Sequence, residues 1–212
     1  SRGIGLELTT NPLVRKLSFT GSTEIGKQLM AQAASTVKKV GLELGGNAPF
    51  IVFDDADVEA AVTGAMQSKY RNGGQTCVCT NRFLVQSGIY DAFARRLGEE
   101  IARLRVGDGM EQGVQIGPLI NERAAEDVKA LISDATGKGA AVIVGGEEDP
   151  RGGAFVQPTL VGGATMEMRL GREEIFGPVA ALFRFDREEE AIQIANDTEF
   201  GLAAYFYTND LS

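Results

Sequence analysis

Ala48-Pro49-Phe50-Ile51-Val52-Phe53-Asp54-Asp55-Ala56-Asp57-Val58-Glu59-Ala60-Ala61-Val62-Thr63-Gly64-Ala65-Met66 is the stretch that decides the fold. Its first six residues are an apolar run of strand length, and the acidic residues after them break the run and can cap a helix. Residues 58–70 carry Ala61, Val62, Ala65 and Met66 on one face, the pattern of an amphipathic helix. Residues 82–86 then read as another strand. Strand, helix, strand in this rhythm means a mostly parallel sheet covered by helices on both faces, an α/β protein.

The rhythm continues in both directions. Upstream, residues 13–20 alternate as a strand, 20–26 form a Gly/Ser turn, 27–35 have helix-forming composition and 37–44 read as a second strand. Downstream, a long helix is expected over 90–106 with Phe93, Leu97, Ile101 and Leu104 inward, and a Gly-rich loop over 107–120. Asn121 opens a helix to about residue 135, followed by strands at 140–144 and 155–161. A turn at 173–178 leads to a strand at 179–185, a helix at 188–195 and a last strand at 203–208. No internal repeat or low-complexity segment interrupts this, so a domain boundary is expected in a short crossover such as Gly45-Gly46.

With 212 residues, 43% hydrophobic and 24% charged, the composition is that of a globular protein with one large domain or parts of two. A net charge of -8 and a pI of about 4.7 argue against nucleic acid or an anionic membrane as partner. No apolar run approaches bilayer length and no signal peptide opens the chain, so a cytoplasmic protein without membrane contact is expected. Two cysteines spaced too closely to staple a loop fit a reducing compartment. The first residue is Ser1 rather than Met, and the chain stops just after a strand-like run, so a piece of a longer protein is expected.

Both cysteines lie in Arg71-Asn72-Gly73-Gly74-Gln75-Thr76-Cys77-Val78-Cys79-Thr80-Asn81. Behind a Gly-Gly turn, which opens backbone conformations closed to other residues, a thiol can meet a substrate unobstructed. Cys77 is the candidate nucleophile, since a thiolate attacks a carbonyl carbon well and later leaves well. The competing reading is two small buried hydrophobes on a strand. The chain holds no histidine, which removes a Cys/His dyad, a Ser-His-Asp triad and a histidine-ligated metal within it. A lone C-x-C cannot complete a zinc site, so no metal is expected. Any base serving Cys77 must be a carboxylate, water or backbone.

Glu43 is a candidate for that task. It lies between Leu42 and Leu44 at the mouth of Gly45-Gly46. A carboxylate kept among apolar neighbours resists ionisation and can take a proton near neutral pH. The competing reading is an ordinary solvent-facing residue on an alternating strand. Gly21-Ser22, between a strand and a helix, matches the layout that presents backbone N–H groups to a phosphate, although a plain capped surface helix would look the same.

Four blocks then carry a family resemblance. Phe19-Thr20-Gly21-Ser22, Glu43-Leu44-Gly45-Gly46-Asn47, Gly74-Gln75-Thr76-Cys77 and Glu174-Ile175-Phe176-Gly177-Pro178 stand in the order seen in aldehyde dehydrogenases. The 71–79 loop is most similar to the succinate-semialdehyde dehydrogenase branch. The resemblance implies NAD or NADP as cofactor, a small aldehyde as substrate and a homo-oligomeric full-length protein. It implies that residues 1–45 end a cofactor-binding domain and that 46–212 form a catalytic domain incomplete at its C-terminus. By the same resemblance Cys77 forms a thiohemiacetal and then a thioester, and Glu43 activates the water that hydrolyses it. Glu174 holds the nicotinamide ribose, Phe176 packs near the nicotinamide ring, and Gly21 and Ser22 contact the diphosphate. Arg71 grips the far carboxylate of succinic semialdehyde; betaine aldehyde or another small aldehyde is the alternative substrate. Cys79 is either a redox partner of Cys77 or a packing residue, and a noncatalytic redox-sensing thiol module is the alternative function. The family's asparagine oxyanion donor and the region that separates NADP from NAD have no counterpart in these residues, so the 212 residues alone are expected to show little or no dehydrogenase activity.

Overall fold

The computed structural model describes residues 2–210; Ser1, Leu211 and Ser212, the outer limits of the two expected domains, lie outside the described residues. The chain divides into two compact units, Ser1–Gly45 and Gly46–Ser212.

The first unit contains α1 (Arg2–Thr10), β1 (Lys16–Thr20), α2 (Thr23–Ala34) and β2 (Lys39–Glu43). The strands pair in parallel, from Lys16 opposite Lys39 to Thr20 opposite Glu43. α2 begins where it does because the Ser22 hydroxyl accepts from the Ile25 N–H at 3.4 Å, with Glu24 in the first turn facing the helix dipole. α1 has no sequence signal: it holds Gly3 and Gly5, has no acidic residue in its first turn and ends in two threonines. Packing on α2 secures it, through the Thr9 hydroxyl donating to Gln32 Oε1 at 2.9 Å.

The second unit is a six-stranded sheet made of β3 (Ala48–Val52), β4 (Thr80–Gln86), β5 (Ala141–Val144), β6 (Thr159–Gly162), β7 (Val179–Phe185) and β8 (Tyr205–Tyr207). Their spatial order is β5-β6-β7-β4-β3-β8, and every pair is parallel except β5 with β6. The helices are α3 (Val58–Lys69), α4 (Tyr90–Ile101), α5 (Glu122–Gly137), the short α6 (Arg169–Arg172) and α7 (Glu188–Asn196). Asp57 and Asn121 cap α3 and α5 by accepting from Ala60 and Ala124 N–H at 3.0 and 2.9 Å.

Two apolar layers flank the sheet. Phe50, Val52, Phe83, Val85 and Leu182 meet Ala61, Phe93 and Leu97 of α3 and α4 on one face. Leu84, Ala181, Phe183 and Phe185 meet Val128, Leu131, Leu170 and Ala191 on the other. Central strands buried on both faces read as near-continuous apolar runs, which is why 48–53 and 179–185, the latter broken only by the exposed Arg184, were legible.

Several expected elements are shorter than their sequence pattern: the strands expected at 13–20, 37–44 and 203–208 run only over Lys16–Thr20, Lys39–Glu43 and Tyr205–Tyr207. The helix expected over 90–106 ends at Ile101, because Arg105 and Val106 turn away to bridge Ile116 instead. Leu104 still packs on the core from that turn. The strand expected over 155–161 is confined to β6, since Pro158 has no N–H to give a ladder and Val156 bridges Glu148. No helix among the described residues is long and apolar enough to cross a membrane.

Candidate active site

β3, β4, β7 and β8 run parallel, so the segments that precede them collect at one edge of the sheet. Gly46-Asn47, the cysteine loop and the 173–178 segment therefore meet, although they are far apart in sequence. They are in close contact: a Cβ on Gly46 would stand 2.2 Å from the Cys77 carbonyl oxygen, and one on Gly74 2.1 Å from that of Gly177. From β8 the Tyr205 hydroxyl donates to the Val78 carbonyl at 2.7 Å.

α3 ends at Lys69 with Tyr70 as its C-terminal cap, and a single 3-10 turn, Arg71–Gly74, carries the chain to the cysteines. Asn72, Gly73 and Gly74 have φ of 53, 61 and 77°, three left-handed residues in a row. Asparagine tolerates this because its amide bonds locally, here to the Gln75 carbonyl at 3.1 Å. Gln75 in turn accepts from the Ile120 N–H at 2.9 Å, which ties the loop down. Cys77 emerges half-buried, and its N–H donates to no group among the described residues. Such a free donor beside the sulfur is suited to a developing oxyanion. Cys79 points into the protein, bonded to the Thr76 hydroxyl at 2.7 Å and to the Lys69 carbonyl at 3.7 Å. Both thiols are free. Arg71 is exposed, and the phenol of Tyr205 feels Cys79, Arg71 and Cys77 together, with burial pushing its pKa up.

Glu174 is half-buried and accepts the Gly46 N–H at 3.1 Å. Burial raises its pKa, while the Gly46 N–H and the charge of Lys69 pull the other way. Phe176 stands at φ 49° and is 41% exposed. A bulky residue in the left-handed region is strained, and such strain concentrates at functional sites.

In the first unit, Glu43 closes β2 beside the Gly21 turn: its carbonyl accepts the Gly21 N–H at 3.0 Å and its side chain is exposed. Burial therefore does not single Glu43 out, contrary to the apolar setting its neighbours suggest. The Thr23 hydroxyl, in the first turn of α2, is buried without a hydrogen-bond partner among the described residues. With exposed Gly21 and Ser22 before it, this orphaned donor fits a diphosphate at the helix N-terminus.

A model of the aldehyde dehydrogenase family matches residues 1–212. The chain belongs to the aldehyde dehydrogenase family. It is 60% identical over 209 residues to the NADP(+) succinate-semialdehyde dehydrogenase of Escherichia coli, covering 99% of this chain and 43% of that protein. It is 57% identical to the glutarate-semialdehyde dehydrogenase of Pseudomonas aeruginosa, over the same shares of each chain. The crystal structure of succinate-semialdehyde dehydrogenase from Burkholderia pseudomallei superimposes with a TM-score of 0.98 at 58% identity, covering 99% of this chain and 44% of that one. The chain thus spans under half the length of these relatives.

Within this aldehyde dehydrogenase chain, three residues that sequence reading passed over wall the cysteine loop: Lys69, Asn81 and Tyr205. Lys69 is 1% exposed, and burial pushes its pKa from 10.5 down to about 8 despite the opposing charges of Cys79 and Glu174. Below about pH 8 both folded and unfolded chains carry the proton, and the burial penalty of about 3 kcal/mol is present in full. Between about pH 8 and 10.5 the unfolded chain holds more protons, so stability rises with pH. Lys69→Met is expected to raise the denaturation midpoint at pH 7 and to flatten that rise, checked by urea unfolding across pH 7–10. A lower midpoint for the variant at pH 7 would contradict the burial penalty. Only a charged residue in an otherwise apolar helix face could have pointed to Lys69 beforehand.

Proposed function

We propose that this chain is the catalytic portion of an NAD(P)-dependent dehydrogenase that oxidises an aldehyde bearing a far carboxylate, with succinic semialdehyde as substrate. The supporting observation is Cys77, half-buried beside a free N–H on a left-handed loop whose walls are Gly46 and the Glu174 segment. Residues 1–45 serve as the end of the cofactor-binding domain and 46–212 as the catalytic domain.

In this reading the Cys77 sulfur attacks the carbonyl carbon, and the thiol proton passes to Glu43 or to water. The carbonyl oxygen becomes an alkoxide held by the Cys77 N–H. A bound nicotinamide dinucleotide supplies the hydride acceptor. Cys77 is left carrying the acyl group as a thioester. Glu43, once any proton taken from the thiol has been passed to solvent, then removes a proton from a water that attacks this thioester, releasing the carboxylate and the thiolate. Gly21, Ser22 and Thr23 hold the diphosphate, Glu174 the ribose, and Phe176 packs near the nicotinamide. An ionised Glu174 accepts most strongly from ribose hydroxyls; burial raises its pKa, while the Gly46 N–H and Lys69 favour the ionised form.

Arg71 binds the far carboxylate, since a guanidinium grips one in a bidentate fork. Relatives named for succinate and glutarate semialdehydes stand at 60% and 57% identity, so identity alone leaves the chain length of the substrate open. A panel of aldehydes with NAD and NADP, run on the enzyme that carries this chain, tests the assignment. Arg71→Ala is expected to raise KM for succinic semialdehyde about tenfold or more, the worth of a charged hydrogen bond, and to leave a neutral aldehyde of similar size nearly unchanged. Equal effects on both would remove the carboxylate assignment.

A further inference from the structure

Asn81 is 3% exposed at the start of β4, four residues after the candidate nucleophile. Its Nδ2 donates to the Glu173 carbonyl at 2.9 Å, to Asn47 Oδ1 at 2.7 Å and more weakly to the Leu170 carbonyl at 3.3 Å. Its Oδ1 accepts the Ile175 N–H at 2.8 Å. One carboxamide thus grips the peptide groups on both sides of Glu174. We propose that Asn81 is the positioning residue for Glu174, fixing the direction in which that carboxylate reaches the cofactor ribose. The inference rests on the reading of Glu174 as the ribose ligand.

The 173–178 segment needs such a grip. It lies outside helix and strand, and Phe176 within it is strained at φ 49°. Side-chain bonds therefore supply the restraint that a regular ladder would give elsewhere. Asn81 is itself held: Asn47 Nδ2 donates to the Gly171 carbonyl at 3.2 Å, and the Arg82 guanidinium donates twice to the Asn47 carbonyl at 3.2 and 2.9 Å. Only an amide fits the position. Aspartate offers acceptors but no donor for the Glu173 carbonyl, and leucine offers neither.

The test compares Asn81→Ala, Asn81→Asp, Glu174→Ala and the double variant Asn81→Ala/Glu174→Ala in the full-length enzyme. Two quantities are read: the dissociation constant of the dinucleotide by fluorescence titration, and hydrolysis of an activated ester, which uses Cys77 but needs no hydride acceptor. Both Asn81 variants are expected to weaken dinucleotide binding about tenfold, the worth of one or two lost hydrogen bonds, and to keep ester hydrolysis within about threefold. In the double variant the Asn81→Ala effect should vanish, because its partner is already gone. If Glu174→Ala leaves binding intact, the ribose reading falls and this inference with it. If Glu174→Ala weakens binding while Asn81→Ala does nothing, adds in full, or destroys ester hydrolysis equally, the positioning role alone is overturned.

Discussion

Glu43→Gln is expected to stop the full-length enzyme after a single turnover: one equivalent of reduced cofactor per active Cys77 appears in a burst, and steady-state turnover falls by about 10²–10⁴. Glutamine keeps the shape of the side chain but cannot take a proton from water. Acylation of Cys77 can still proceed with water as proton acceptor, so the thioester accumulates. With no histidine among the 212 residues, no imidazole in this chain can take over the task. Cys77→Ala should remove the burst as well as the turnover, which separates the carrier from the base. Rapid-mixing absorbance at the reduced nicotinamide band distinguishes the two variants. Unchanged turnover in the Glu43→Gln variant would refute the deacylation role, and it would leave the exposed position of Glu43 as that of an ordinary surface residue.

Gly74→Ala carries the second large effect, this time on stability and site geometry together. The residue has φ 77°, a conformation that costs a side-chain-bearing residue about 1–2 kcal/mol. Its added Cβ would also fall 2.1 Å from the Gly177 oxygen and 2.5 Å from the Gly177 carbon, both backbone atoms that cannot rotate aside. Forced separation of packed groups adds about 1–3 kcal/mol, for a total of about 2–5 kcal/mol. That corresponds to a fall of about 5–15 °C in thermal midpoint for a protein of this size. The cysteine loop would move away from the 173–178 segment, lowering kcat/KM as well. Gly152→Ala is the control, since Gly152 has φ 64° but nothing within 4 Å of its Cβ position, so only the backbone cost applies. Midpoints for the two variants that agree within error would show that the close approach of the two loops carries no energy.

Much of the fold could be read from the chain. The buried strands at 48–52 and 179–183 are continuous apolar runs, and Asp57 and Asn121 announce their helices because a cap is a local hydrogen bond. The nucleophile candidate was visible for the same local reason: three left-handed residues in succession demand an Asn-Gly-Gly sequence. The stretches that misled are those where a distant partner overrides local preference. Arg105 and Val106 leave the helical pattern to pair with residues 115 and 116, and α1 is secured by Gln32 in another helix.

The alternation of apolar runs and helix caps pointed to the α/β class, and four ordered motifs carried the resemblance to the aldehyde dehydrogenase family that the family match bears out. The absence of histidine leaves only a carboxylate, water or backbone in this chain to serve Cys77. These readings depend only on which residues are present and in what local order. Tertiary structure alone decided what surrounds Cys77. Asn81 closes on residues more than 90 positions away, Tyr205 reaches Val78 across 127, and the Gly46 N–H finds Glu174 across 128. The physical reason is the parallel sheet: it brings the segments before its strands to one edge whatever their separation along the chain. No local pattern records which of them will meet.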